Sequence, residues 1–137
     1  MISAEDIDAI CQKSLKNKIF DLTAALSSGG GSALKILDEL IASKEAVQMI
    51  LFMIEKHFRT MLQVKLYSND GMTQPTISSR LKQAPFITQK YARQSIAFEV
   101  RTIEQAIMKC HEYDLKIKTG KIMDRTAVEM LIAEFSK

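Results

Sequence analysis

The sequence predicts an all-α protein, a single bundle of about seven to eight helices, and three observations carry that prediction. Only five glycines and two prolines interrupt 137 residues of which 47% are hydrophobic, so turn formers are scarce. Apolar residues recur three and four positions apart, the spacing of one helix face. Stop signals at Ser27–Ser32, Asn69-Asp70-Gly71 and Gly120 divide these runs at helical lengths. Residues 1–137 are read as one domain, long enough to bury about two-thirds of the surface exposed by the unfolded chain.

In chain order, Ser3 can cap a first short helix whose opening acids, Glu5 and Asp6, suit its positive end, and which runs to about Ser14. Asn17 can cap a second, with Ile19, Phe20, Leu22, Ala25 and Leu26 as its apolar face. The segment SSGGGS then breaks it. This is read as a connector: a phosphate-binding loop needs a preceding strand and a lysine after the last glycine, and Lys35 is misplaced for that. Ala33, Leu34, Ile36, Leu37, Leu40 and Ile41 line a third helix.

The longest segment runs from about Lys44 to Ser68. Val47, Ile50, Leu51, Ile54, Phe58, Met61, Leu62 and Leu66 form one stripe, and Met49, Phe52 and Met53 wrap its sides. A helix apolar almost all round is either central to the bundle or has a second surface covered by another subunit. The central position is preferred.

Asn69-Asp70-Gly71 stops this helix, and Thr73 starts a short one through Ile77 and Leu81. The unit TQPTISSRLKQAPF resembles part of a helix-turn-helix, but Ser78, Ser79, Arg80 and Lys82 offer a thin set of base-reading side chains, so a structural hairpin is preferred. Pro85 suits the first turn of the next helix, with Phe86, Ile87, Tyr91, Gln94 and Ser95 toward neighbours. Another helix covers about Glu99 to Lys118 with Val100, Ile103, Ile107, Cys110, Asp114 and Ile117 as its seam. Asp114 on an apolar seam calls for a partner, and an ion pair with Arg59 or Arg93 is expected. Asp124 opens the last helix, built on Ala127, Val128, Met130, Leu131 and Phe135.

Chemistry-bearing motifs are thin. Lys118-Thr119-Gly120 matches one element of serine β-lactamases, and Ser32-Ala-Leu-Lys35 matches another, but Ser68-Asn69-Asp70 only permutes the third. In that mechanism Lys-Thr-Gly lies on a strand; here it follows a helix, so Gly120 reads as a helix stop. His57 and His111 stand alone, with no His-Glu-x-x-His, and Cys11 and Cys110 lie in no CxxC. No catalytic residue, cofactor or metal site is expected. The start, MISAEDID, has no signal-peptide pattern, and the run Met49–Ile54 is far too short for a membrane span, so a cytoplasmic protein without a membrane partner is expected.

The net charge of +3 is unevenly spread. Residues 80–125 hold ten Lys/Arg against five Asp/Glu, while residues 1–45 hold five against seven. The basic stretch suits an acidic partner or a phosphate backbone, and a stand-alone helical nucleic-acid-binding module using residues 80–125 is the alternative function.

Taken in order, Ile19-Phe20-Asp21-Leu22 with Ala25-Leu26, Phe58-Arg59 in the long helix, TISSRLKQAPFITQKYARQSIAFEV, and Asp114 through Gly120 resemble the C-terminal collar domain of the bacterial DNA polymerase III delta subunit. The resemblance covers nearly the whole chain. It implies a non-catalytic helical domain that oligomerises with the equivalent domains of the other clamp-loader subunits, gamma/tau and delta-prime, in a cytoplasmic, nucleoid-associated replisome. It also implies that the two AAA+-like domains preceding the collar in complete subunits, including the one that opens the sliding clamp, are missing here. The full-length protein would count as part of DNA polymerase III, a DNA-directed DNA polymerase. On this resemblance Met49, Phe52 and Met53 become candidate subunit-interface residues, and Lys118, Thr119 and Lys121 become candidate DNA-proximal residues above the primer-template.

Overall fold

A computed structural model describes the backbone of residues 4–28 and 31–135 and the side chains of residues 15–28 and 31–135. Among them are seven helices and no strand: α1 (Ala4–Ser27), α2 (Ala33–Ala42), α3 (Val47–Asn69), α4 (Gln74–Leu81), α5 (Pro85–Ser95), α6 (Val100–Lys118) and α7 (Asp124–Phe135). The all-α expectation holds. The two helices expected on either side of Asn17 are one, because no glycine or proline falls within residues 4–27 and an exposed Asn costs a helix interior less than about 1 kcal/mol. The Ser3 cap and most of the glycine run lie outside the described residues.

Helix α3 is the axis of the bundle. It packs against α1, α4, α5, α6 and α7, while α2 bridges α1 and α7. Its residues Ile50, Leu51, Ile54, Phe58, Met61 and Val64 are buried, which places the central reading on the observed stripe. Leu22 and Leu26 of α1, Leu37 and Leu40 of α2, Tyr91 of α5, Ile103 and Cys110 of α6 and Val128 and Leu131 of α7 complete one core. Phe58 meets Phe98 edge-on at 5.8 Å inside it.

The stops work as local chemistry requires. After α3, Gly71 takes φ +88°, its N–H bonds to the Ser68 carbonyl, and Met72 N–H reaches back to Tyr67 O at 3.0 Å. After α6, Gly120 takes φ +72° and Lys121 N–H bonds to Lys116 O at 2.9 Å. Both are the left-handed closure in which a residue with no Cβ satisfies the last carbonyls without strain. Pro85 occupies the first turn of α5 behind Ala84, and Asp124 Oδ1 accepts from Arg125 N–H at 2.6 Å as α7 begins.

Helices α4 and α5 form a hairpin held by Ser78 Oγ donating to Thr88 Oγ1 at 2.7 Å and Gln83 Nε2 donating to the same oxygen at 2.9 Å. Ser78 is buried there, and the Arg80 guanidinium lies over the Tyr67 ring at 5.4 Å, so neither is presented as a base-reading side chain. Four side chains expected on inward faces, Leu34, Leu66, Phe86 and Met130, are exposed instead.

Core and surface separate clearly enough to test. Phe58→Ala should cost about 3–5 kcal/mol in denaturant unfolding, the range for emptying a buried aromatic site. Phe86→Ala should change stability by less than about 0.5 kcal/mol, because its ring leaves water little on folding.

Candidate interaction surface

The apolar flank of α3 is one of the surfaces the fold leaves uncovered. Met49 is 47% exposed and Phe52 56%, while Met53 is half-buried against the core. Their spacing puts Met49, Phe52 and Met53 on one side of the helix while Ile50, Leu51 and Ile54 face inward. The flank opens into a groove of about 830 Å³ between α1, α3 and the α4–α5 hairpin, with Ile19, Leu81, Ile87 and Tyr91 beneath and Lys16, Lys56 and Lys82 beside it.

His57 lies in the groove's floor. Gln94 fixes it: the amide Nε2 donates to Phe20 O at 2.8 Å, so its Oε1 faces the imidazole and accepts from His57 Nε2–H at 2.6 Å. The other ring nitrogen, Nδ1, is then a bare acceptor, buried and without a hydrogen-bond partner. Phe20 stands edge-on to the ring at 4.5 Å and Tyr91 is tilted against it at 5.0 Å. Protonation would put a charge into this apolar enclosure, so burial, opposed in part by the Gln94 hydrogen bond, lowers the pKa to about 4. The groove floor is neutral at pH 7.

A second buried polar residue, Glu55, is absent from the sequence reading. Its carboxylate is paired with Arg59 one turn along α3 and lies 3.2 Å from His111 Nε2 on α6. The sequence signal was the i,i+4 spacing of Glu55 and Arg59, which is equally common on solvated faces.

The ion pair expected between Asp114 and Arg59 or Arg93 is replaced by a local one. Asp114 is partly exposed and bonds Lys118 Nζ at 2.8 Å, while Arg59 is taken by Glu55. The reason is the seam of α6, which runs through Ile103, Ala106, Cys110 and Tyr113 and leaves Asp114 on its flank.

The other candidate residues end α6. Thr119 Oγ1 donates to Leu115 O at 2.9 Å, Lys118 is engaged by Asp114, and Lys121 is exposed beyond the glycine. The Lys-Thr-Gly tripeptide is thus a helix terminus. Of the ten basic residues in 80–125, Lys109, Lys116, Lys118 and Arg125 all sit in ion pairs, with Glu112, Glu134, Asp114, Asp38 and Glu129 as their acids. Burial pushes the Cys110 thiol up to about 12, with Glu55 adding to the shift, so it does not serve as a nucleophile at neutral pH. Among the described residues no three His, Cys, Asp or Glu side chains converge as a metal site, and no helix is long and apolar enough to cross a membrane.

The buried imidazole makes stability depend on pH. Its folded pKa near 4 lies below the ordinary 6.5, so the unfolded chain binds more protons between those values. His57 therefore contributes fully above pH 6.5, and about 3 kcal/mol of stability should be lost as pH falls from 6.5 to 4. Urea unfolding across that window should show the slope in the wild-type chain, and a flatter slope in His57→Gln with His111 and the carboxylates unchanged.

Comparison with known proteins follows the fold. A family profile described as DNA polymerase III delta subunit, C-terminal domain, matches residues 16–135. The DNA polymerase III subunit delta of Bacillus subtilis (strain 168) is 26% identical over 137 residues, which is 99% of this chain and 40% of that protein. The solved structure of the Bacillus subtilis DNA clamp loader delta protein (YqeN) superposes with a TM-score of 0.85 at 26% identity, covering 96% of this chain and 39% of that one. The chain thus spans about two-fifths of the length of the relative it matches. Both the helical order and the matched span, which runs from within α1 to the end of α7, lead to one assignment: the chain belongs to the family of C-terminal domains of the DNA polymerase III delta subunit.

Proposed function

We propose that this chain is a collar domain, a non-catalytic scaffold through which a delta subunit joins the gamma/tau and delta-prime subunits of a cytoplasmic clamp loader. The observation that carries the reading is the uncovered flank of α3. Met49 and Phe52 present large apolar side chains to water from the central helix of the bundle, beside a groove that another protein can fill. Methionines adapt to irregular partners, and aromatic side chains supply much of the energy of protein interfaces. Family membership supports the same role, and so does the assignment of the Lys-Thr-Gly tripeptide to a helix end. The domain is read as one unit covering residues 1–137, with clamp contact left to other domains of a delta subunit.

Phe52→Asp combined with Met49→Ser should abolish co-elution with the other loader subunits while leaving helical circular dichroism unchanged. Loss of the helical signal, or undiminished assembly, would count against the face. Met53 is unsuited to this test because it packs against the core.

Contact of the α6 terminus with primer-template DNA belongs to the same reading. Lys118 and Lys121 are exposed, and each phosphate contact adds about 1 to the salt slope of binding. Replacing both with serine should flatten the salt dependence of DNA binding by the assembled loader; an unchanged slope removes the contact.

A further inference from the structure

The groove beside the exposed flank has a charge pattern that the collar reading does not use. Lys16 stands on it from α1, Lys56 from α3 and Lys82 from the end of α4, and Glu45 is the one carboxylate among its described lining residues. On α3, the Glu55 carboxylate is engaged by Arg59 and His111. The Lys90 ammonium sits next to this rim, over the face of Phe20 at 4.5 Å. Burial, and then the nearby charge of Lys56, lower the pKa of Lys16, so two cations face each other here. Beneath them the floor is apolar, and its one imidazole is neutral.

This combination discriminates among occupants. A nucleic-acid backbone would answer the lysines but leave Met53, Leu81 and Ile87 against water. A purely apolar helix would cover the floor but dry the space between Lys16 and Lys56, where their repulsion grows as the local dielectric falls. An amphipathic helix with carboxylates along the edge of its apolar stripe satisfies both demands: its stripe fills the groove, and its acids sit between the lysines.

We propose that the groove takes such an acidic-edged amphipathic helix from an adjoining subunit. The inference rests on the collar reading and adds to it the chemistry of the partner. Charge complementarity, together with the unbroken continuation of the groove into Met49 and Phe52, selects this occupant.

The test uses this chain within its full-length subunit, mixed with the other clamp-loader subunits. Lys16→Glu with Lys56→Glu should raise the dissociation constant at low salt tenfold or more, while circular dichroism stays native. Raising salt should weaken the wild-type assembly and leave the double variant little changed. Zero-length carbodiimide coupling should join Lys16 or Lys56 to Asp or Glu of a helix in another subunit. Assembly unaffected by the lysine reversals but lost with Phe52→Asp overturns the acidic partner and leaves the collar reading intact. Indifference to all three substitutions removes the groove as an interface. Couplings that stay within the same subunit, or a defect confined to primer-template binding, also overturn the proposal. Failure of the wild-type subunit to assemble defeats the collar reading and the proposal together.

Discussion

The burial of α3 on most of its circumference is the constraint on which the rest of the structure depends. A helix with apolar residues on one stripe needs one neighbour; this one has Ile50, Leu51, Ile54, Phe58, Met61 and Val64 inward and is packed by five other helices. Enclosing it draws in its polar residues as well. Glu55 and His57 lie beyond the reach of bulk water, and each must find partners or lose free energy on folding. Arg59 and His111 answer Glu55, and Gln94 answers one nitrogen of His57 while tying α5 to Phe20 of α1. Apolar packing brings helices together here, and these directional bonds fix which residues of α1, α3, α5 and α6 lie opposite one another.

Features governed by local chemistry were legible in the sequence. Gly71 and Gly120 are the residues suited to a left-handed stop, Pro85 to a first helical turn, and the α3 stripe to a core. Features decided by the opposing surface were not. On α6 the spacing of three and four admits two seams about one residue apart. Counting only large apolar residues selects the one through Ile107 and Asp114. The bundle selects the other, burying Ala106 and Tyr113 in place of Ile107 and Asp114. That rotation moved Asp114 to the flank and removed its need for a distant arginine. The buried carboxylate is Glu55, which nothing in its neighbourhood distinguishes from an ordinary surface glutamate.

The same division applies to the candidate surface. Met49, Phe52 and Met53 were visible because α3 is apolar around more of its circumference than one stripe requires. The sequence allowed either a central helix or a covered face, and the fold makes the helix central while leaving one flank of it exposed. The lysines beside the groove were invisible, because they come from three helices that only tertiary packing brings together. Nor did they lie mainly in the basic 80–125 stretch: Lys16 and Lys56 come from outside it.

Net charge along a sequence and electric field on a surface are different quantities, and this chain separates them. Several cations of the basic stretch are spent within the domain: Lys109 and Lys116 on Glu112, Lys118 on Asp114, and Arg125 on Asp38 and Glu129. Exposed pairs of this kind add little to stability, yet they largely cancel one another's field beyond a few ångströms. The cations that retain an outward field are those set where no acid reaches them. Around the groove that field coincides with uncovered apolar surface, so affinity from burial and selectivity from charge arise at one place. An apolar patch alone would accept many partners; the lysine rim penalises every occupant that brings no negative charge.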